Sequence, residues 1–321
     1  MSDPVLLRRL CQGPASGAEL ARELSVTRSA VWKRVQALRA AGVDVQASPG
    51  RGYALARPMQ LLDADAIAAA LSTPARAELA ELQLLFEVDS TNAAALRQPA
   101  PARGCAVWLA ERQHAGRGRR GRSWASPLAA HVYLSVSRRY EGGVAALQGL
   151  SLAVGVAAAD ALHALGYARV GLKWPNDLLA DGRKLGGILV EVGGDASGPL
   201  HVVVGLGINV AMPAAAAAQI DQAWCDLDSL SSVRASRTQV CVALLDALLP
   251  ALARFEREGL APFLPGWARH DLLAGRRVHL AEGGRVHEGV ALGIRGDGAL
   301  RLQQSDGERG FHAGEASLRA A

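Results

Sequence analysis

The chain is 321 residues long, half of them apolar, with a net charge of +5 and four cysteines. That length and apolar content exclude a disordered chain and leave room for two or three domains, each with its own core. The scattered Cys11, Cys105, Cys225 and Cys241 form no CxxC pair, so neither a disulfide framework nor a zinc site is suggested.

The opening MSDPVLLRRL turns charged within ten residues, which argues against a secretory leader. The most apolar stretch, LSLAVGVAAADALHALG, is interrupted by Asp160 and His163, which argues against a bilayer span. A reducing cytoplasm is the simplest expectation.

Residues 4–57 read as three short helices and a hairpin. PVLLRRLCQG is the first. SGAELARELS follows, opened by a capping box in which Glu19 stands three residues after Ser16. TRSAVWKRVQALRAAG is the third, with Val31, Val35 and Leu38 on one face and Gly42 as its stop. VDVQASPGRGYAL reads as two strands around Pro49-Gly50-Arg51-Gly52. This is the winged helix-turn-helix pattern, and residues 57–64, with Pro58, read as its connection onward.

Residues 1–57 hold nine Arg or Lys against four Asp or Glu, while the remainder has 26 of each sign. The whole excess charge therefore sits in this unit and points to a polyanion, with Arg28, Ser29, Lys33, Arg34 and Arg51 as candidate DNA contacts. The competing reading is a solvated helix face, or a winged helix that meets only protein.

From residue 65 to 268 helical and strand patterns mix, as in an α/β domain with a largely antiparallel sheet. LQLLFEVDSTN is a strand running into a helix cap, and CAVWLAERQ is a strand feeding GRGRRGR at 116–122. GRKLGGILVEVGG and LHVVVGLGINV look like a paired antiparallel hairpin. The helical period over SRTQVCVALLDALLPALARFEREG is interrupted by Pro250, which should kink or split that helix. Beyond residue 269, short strands between Gly turns predict a small SH3-like β-barrel.

Four arginines and three glycines in seven positions repel one another and cannot build a core; backbone N–H groups and guanidiniums on a flexible loop suit a phosphate cradle. Residues 116–121 also match GxGxxG, but Trp124 and Pro127 follow and no helix opens, so the dinucleotide reading fails its context. Lysine and asparagine are rare, three of each, yet Lys173, Asn176 and Lys184 fall within twelve residues. Such positions mark places where an arginine fork does not serve.

STN (90–92), Q-x-x-GRGRxGR-x-W (113–124), KWPND (173–177), GRKLGGILVE (182–191) and GLGIN (205–209) occur in this order. Together they resemble the biotin protein ligases, and with the N-terminal winged helix the chain resembles their bifunctional ligase-repressor members along essentially its whole length. The resemblance implies an α+β multidomain protein. Residues 1–64 would be a winged helix-turn-helix, 65–268 a class II synthetase-like mixed α/β ligase domain, and 269–321 the SH3-like barrel.

It also implies adenylation of biotin by ATP, with Mg²⁺ arriving on the nucleotide, and transfer to a lysine of the biotin carboxyl carrier protein. Operator DNA and a homodimer formed when biotinyl-adenylate is bound are the further partners implied. No membrane is among them.

By that resemblance Lys184 bridges the biotin carboxylate and the α-phosphate, with Arg119 bracing the phosphate. Ser90, Thr91, Asn92, Gln113, Arg117, Gly118, Gly187, Gly205 and Gly207 complete the biotin side. Arg122, Lys173, Asn176, Asp177, Asn209 and Trp224 join Arg119 on the ATP side. Asn92 is equally suited to cap the helix after the strand, Asp177 to cap a turn, and Trp224 to fill a core. Two other functions fit the same motifs: a ligand-sensing regulator without ligase activity, and a ligase for lipoate or another acyl acid.

Overall fold

The computed structural model describes residues 3–48, 52–194 and 199–312, with the backbone of 316–320. Helices α1 (Pro4–Cys11), α2 (Gly17–Glu23) and α3 (Arg28–Ala40) each begin at a side-chain cap, Asp3, Ser16 and Thr27, that accepts from otherwise unpaired backbone N–H groups. The Ser16–Glu19 capping box is present. Strands β1 (Val45–Ser48) and β2 (Gly52–Leu55) pair antiparallel as the wing, whose tip, Arg51 included, lies outside the described residues. Leu6, Leu7, Leu20, Val31, Val35 and Leu38 make the core of this unit, and Leu128 and Ala129 from the next unit belong to it.

The connection at 57–64 is pinned, not a free spacer. Leu62 N–H donates to Glu111 Oε1 at 2.6 Å, and the Gln60 carbonyl accepts from Arg237 Nη1 at 2.9 Å. Glu111 and Arg237 themselves pair at 2.7 Å with both side chains buried.

Helices α4 (Ala64–Ala70) and α5 (Thr73–Glu78) lead into a seven-stranded sheet ordered β3-β4-β5-β9-β8-β7-β6. Its strands are β3 (Leu79–Val88), β4 (Cys105–Gln113), β5 (Val132–Tyr140), β6 (Val170–Lys173), β7 (Asp177–Ala180), β8 (Arg183–Gly193) and β9 (Leu200–Ile208). Only β3 and β4 run parallel, because helix α6 (Thr91–Leu96) carries the chain back between them; every other pair is antiparallel. The hairpin expected from the sequence is β8–β9, with Gly187 opposite Gly207 and Leu189 opposite Gly205.

Helix α7 (Leu150–Ala164) covers the sheet and buries eleven of its fifteen residues, so it is apolar all round rather than striped. After β9 come the short helices α8 (Ala214–Ala217) and α9 (Leu227–Leu230), then α10 (Arg237–Glu258), which packs on α7. Against expectation, α10 runs unbroken through Pro250. Losing one backbone hydrogen bond costs about 3 kcal/mol, and burial of Leu244, Leu245, Leu248, Leu249 and Leu252 around the proline offsets it.

The segment Val144–Ala164 and α10 are, contrary to the sequence reading, long and apolar enough to cross a membrane by composition alone. Both sit in the central hydrophobic core.

Helix α11 (Leu264–His270) leads to an antiparallel five-stranded sheet ordered β13-β12-β11-β10-β14. It comprises β10 (Arg277–Glu282), β11 (Arg285–Ile294), β12 (Leu300–Gln304), β13 (Gly307–Phe311) and β14 (Ala316–Ala320). Its inner residues Val278, Leu280, Ala291, Leu300 and Leu302 merge with the central core, and the Gly298 carbonyl accepts from Trp174 Nε1 at 3.1 Å.

Candidate active site

The ends of β4, β6, β8 and β9, the start of α6 and the Arg-rich loop surround one cleft of ≈ 580 Å³. Fifteen of the residues singled out from the sequence line it: Ser90, Thr91, Asn92, Gln113, Arg117, Gly118, Arg119, Arg122, Lys173, Asn176, Asp177, Lys184, Gly187, Gly205 and Gly207.

One end is neutral and heavily hydrogen-bonded. Ser90 is the cap of α6, accepting from Ala93 N–H, which decides against that role for Asn92. Gln113 Oε1 accepts from Thr91 N–H at 2.9 Å and from its hydroxyl at 3.1 Å, and Gln113 Nε2 donates to Ser126 at 3.1 Å. Asn92 is buried. Its Nδ2 donates to Glu191 at 2.8 Å, and its Oδ1 lies 2.6 Å from the Ser135 hydroxyl.

The glycines of this end are needed for space. A Cβ on Gly205 would stand 2.3 Å from Asn92 Oδ1, and one on Gly207 would stand 2.6 Å from the Trp124 ring. The β9 floor must therefore be bare at these two positions for Asn92 and Trp124 to reach it.

The other end is cationic. Lys184 Nζ pairs with Asp177 Oδ1 at 2.8 Å and lies 5.7 Å from the centroid of the Trp124 ring. Arg119 Nη1 donates to Asn176 Oδ1 at 3.1 Å. Burial is the main cause holding the Arg119 guanidinium below its usual range; the Arg120 charge adds to this and Asp177 opposes it. Asn176 Nδ2 in turn donates to the Ile188 carbonyl, which fixes the KWPND turn against β8.

The 116–122 loop is closed rather than loose. Gly118 N–H donates to Arg122 O at 2.7 Å, Trp124 N–H to Gly116 O at 2.8 Å, and Arg117 pairs with Glu191 at 3.1 Å. Only one 3₁₀ turn, Arg119–Gly121, follows the glycines, with Arg120 in left-handed geometry, in keeping with the rejected dinucleotide reading.

Two expected ATP-side residues, Asn209 and Trp224, are not among those lining the cleft, although Ala223 beside Trp224 is. Asn209 is buried, its Nδ2 donates to Cys225 O at 3.0 Å, and its backbone N–H donates to Leu185 O. Trp224 is half-buried and aligns with Lys184 by backbone: Lys184 N–H donates to Ala223 O and Cys225 N–H to Lys184 O. The pair holds the strand that presents Lys184.

Three contributors escaped the sequence reading. Trp124 and Glu191 stood inside quoted motifs and could have been found there; Ser135 sits mid-strand with no local signal. On α3, Arg28, Ser29 and Lys33 are exposed, whereas Arg34 turns back to pair with Asp3 at 2.7 Å.

Residues 87–209 match the biotin/lipoate A/B protein ligase family, 5–54 an HTH domain, and 274–319 the biotin protein ligase C-terminal domain. The bifunctional ligase/repressor BirA of Salmonella typhimurium is 41% identical over 95% of this chain and 93% of its own length. Its counterpart from Escherichia coli is 40% identical over the same shares. The biotin protein ligase of Aquifex aeolicus, solved in complex with biotin and ATP, aligns with a TM-score of 0.64 and 26% identity, covering 75% of this chain and all of that one. With three matching segments in order and such identity over nearly the full length, this chain belongs to the biotin protein ligases, in the family of the bifunctional ligase/repressor BirA.

Proposed function

We propose that the chain is an ATP-dependent biotin protein ligase that also represses transcription through its winged helix. One observation carries the ligase reading: a single cleft joins a neutral hydrogen-bonding end at Thr91, Asn92 and Gln113 to a cationic end at Lys184 and Arg119. Biotin has the same division, an uncharged ureido ring at one end and a carboxylate at the other.

The carboxylate oxygen attacks the α-phosphorus of ATP, the bond to the β-phosphate oxygen breaks, and pyrophosphate leaves with that electron pair. Lys184 sits between the two anions and offsets the charge that gathers on the α-phosphate; Arg119 braces it. Asp177 holds Lys184 in place until substrate arrives. Mg²⁺ enters with ATP, held by phosphate oxygens and water. In the second step the acceptor lysine amine attacks the biotinyl carbonyl, and AMP leaves. The acceptor is the biotin carboxyl carrier protein.

Asn209 and the backbone on either side of Trp224 act by fixing the Lys184 strand. We place the domain limits at 1–64, 65–268 and 269–321, each unit containing one of the three sheets. Cytoplasmic placement is supported by four free cysteines.

The adenylate carries one phosphate, and Arg117, Arg119 and Arg122 all line the cleft that would receive it. Binding of that phosphate to the loop would complete a surface for a second copy, so dimerisation and operator binding would follow ligation state. A coupling of about 1–3 kcal/mol is typical of such linkage.

Pyrophosphate release with biotin, compared with lipoate or octanoate, tests the substrate. Release with lipoate alone would move the chain to the lipoate side of its family, and none with any acid would leave a regulator only.

A further inference from the structure

The third helix buries Val31, Val35 and Leu38 and turns Arg28, Ser29, Trp32 and Lys33 to solvent. Trp32 is 54% exposed. A lone exposed apolar side chain needs no explanation as such, but this one is the largest available and the fold gives it no task. The helix is capped by Thr27 and anchored by its opposite stripe. Cations flank the indole on both sides, and the excess charge of the whole chain sits in the same unit. Arg34, held by Asp3, marks where the face ends.

We infer that Trp32 is a specificity-determining residue for operator DNA, its ring lying on the C5 methyl of a thymine in the major groove; this rests on the repressor reading. The early turns of a recognition helix are the part that meets base edges. Thymine alone presents a methyl group there, and apolar side chains read it by contact rather than by hydrogen bonding. Arg28 stands one turn before the indole and Lys33 directly after it, where phosphates rather than bases receive them. A protein partner would need acidic groups to answer those charges, and DNA supplies them on both flanks of the groove.

The full chain, with biotin and ATP, is used to enrich duplexes from a random pool. Thymines of the enriched half-site are then replaced singly by deoxyuracil, which removes only the methyl group and needs no variant protein. Burial of one methyl is worth about fourfold in affinity per half-site, so one position should lose about that much with the unaltered chain and nothing with Trp32→Ala. Trp32→Phe should keep part of the discrimination.

Trp32→Ala should leave the salt dependence of binding as it was, whereas Lys33→Ala should lower its slope by about one. A Trp32→Ala chain, folded by its circular dichroism, that still separates thymine from uracil overturns the inference. So does an enriched half-site indifferent to every methyl, and in both cases the repressor reading stands. Enrichment of no sequence at all removes the repressor reading and the inference with it.

Discussion

Lys184 is paired with Asp177 at 2.8 Å, beside the Trp124 ring and on a strand whose backbone is tied to 223–225. A side chain so placed can exchange one anion for another without moving its backbone. Removing it should lower the rate of biotinyl-adenylate formation about 10²- to 10³-fold, measured as pyrophosphate release from Lys184→Ala; a near-normal rate would exclude it from the chemistry.

Gly207 makes a second test at this scale. Its missing Cβ is the space the Trp124 ring uses. Gly207→Ala should push the ring into the cleft and lower kcat/KM for biotin by about a hundredfold, since a shift of an ångström at a reacting site costs that much. Equal kcat/KM in the two proteins would show that the ring moves freely.

Among the elements, β4 and α10 are joined by the Glu111–Arg237 pair, the most buried ion pair described. Arg237 also holds His131 O and Gln60 O, so one guanidinium gathers β4, the approach to β5 and the chain entering α4. Arg237→Ala leaves Glu111 charged and unpaired inside the protein and should destabilise it by about 3–5 kcal/mol, read by denaturant melting.

His131, just ahead of β5, is fully buried and accepts from Val210 N–H. Burial first, then the Arg237 charge, push its imidazole down to about 3 from 6.5. The unfolded chain therefore takes up a proton that the folded one refuses, and stability falls as pH drops from 6.5 towards 3. A His131→Gln chain should show a shallower loss of melting temperature over that window; an unchanged slope would assign the acid sensitivity elsewhere.

At the scale of the molecule, the N-terminal unit shares its core with Leu128 and Ala129, which follow the Arg-rich loop and the Trp124 turn by only a few residues. The Arg-rich loop and the winged-helix unit are thus neighbours through one short segment. Deleting residues 1–57 should abolish operator binding and leave some ligase activity in a less stable protein, because it bares Leu128 and Ala129. A truncated chain that still shifts operator DNA would refute the assignment.

Full-length protein with biotin and ATP should dimerise about five- to a hundredfold more tightly than without them. Sedimentation decides this, and identical dimer affinity in the two states would leave the loop a catalytic clamp only.

Periodicity and punctuation were enough for the winged helix, the β8–β9 hairpin and the C-terminal strands, because capping residues, alternation and Gly turns act locally. The cleft was legible as well, since four of the five short motifs carry residue types that local structure alone does not require: bare glycines, clustered arginines and rare lysines. The continuity of α10 through Pro250 was decided only on folding, because leucines buried against α7 outweigh one missing hydrogen bond. The backbone pairing of Lys184 with the 223–225 segment, and of Asn209 with Leu185, joins distant segments and was decided only on folding. The inward turn of Arg34, the Ser135 contact with Asn92 and the Glu111–Arg237 pair depend on partners 31, 43 and 126 residues away. Contacts of that separation leave no periodic mark in a sequence, and they exist only once loop closure has brought the partners together.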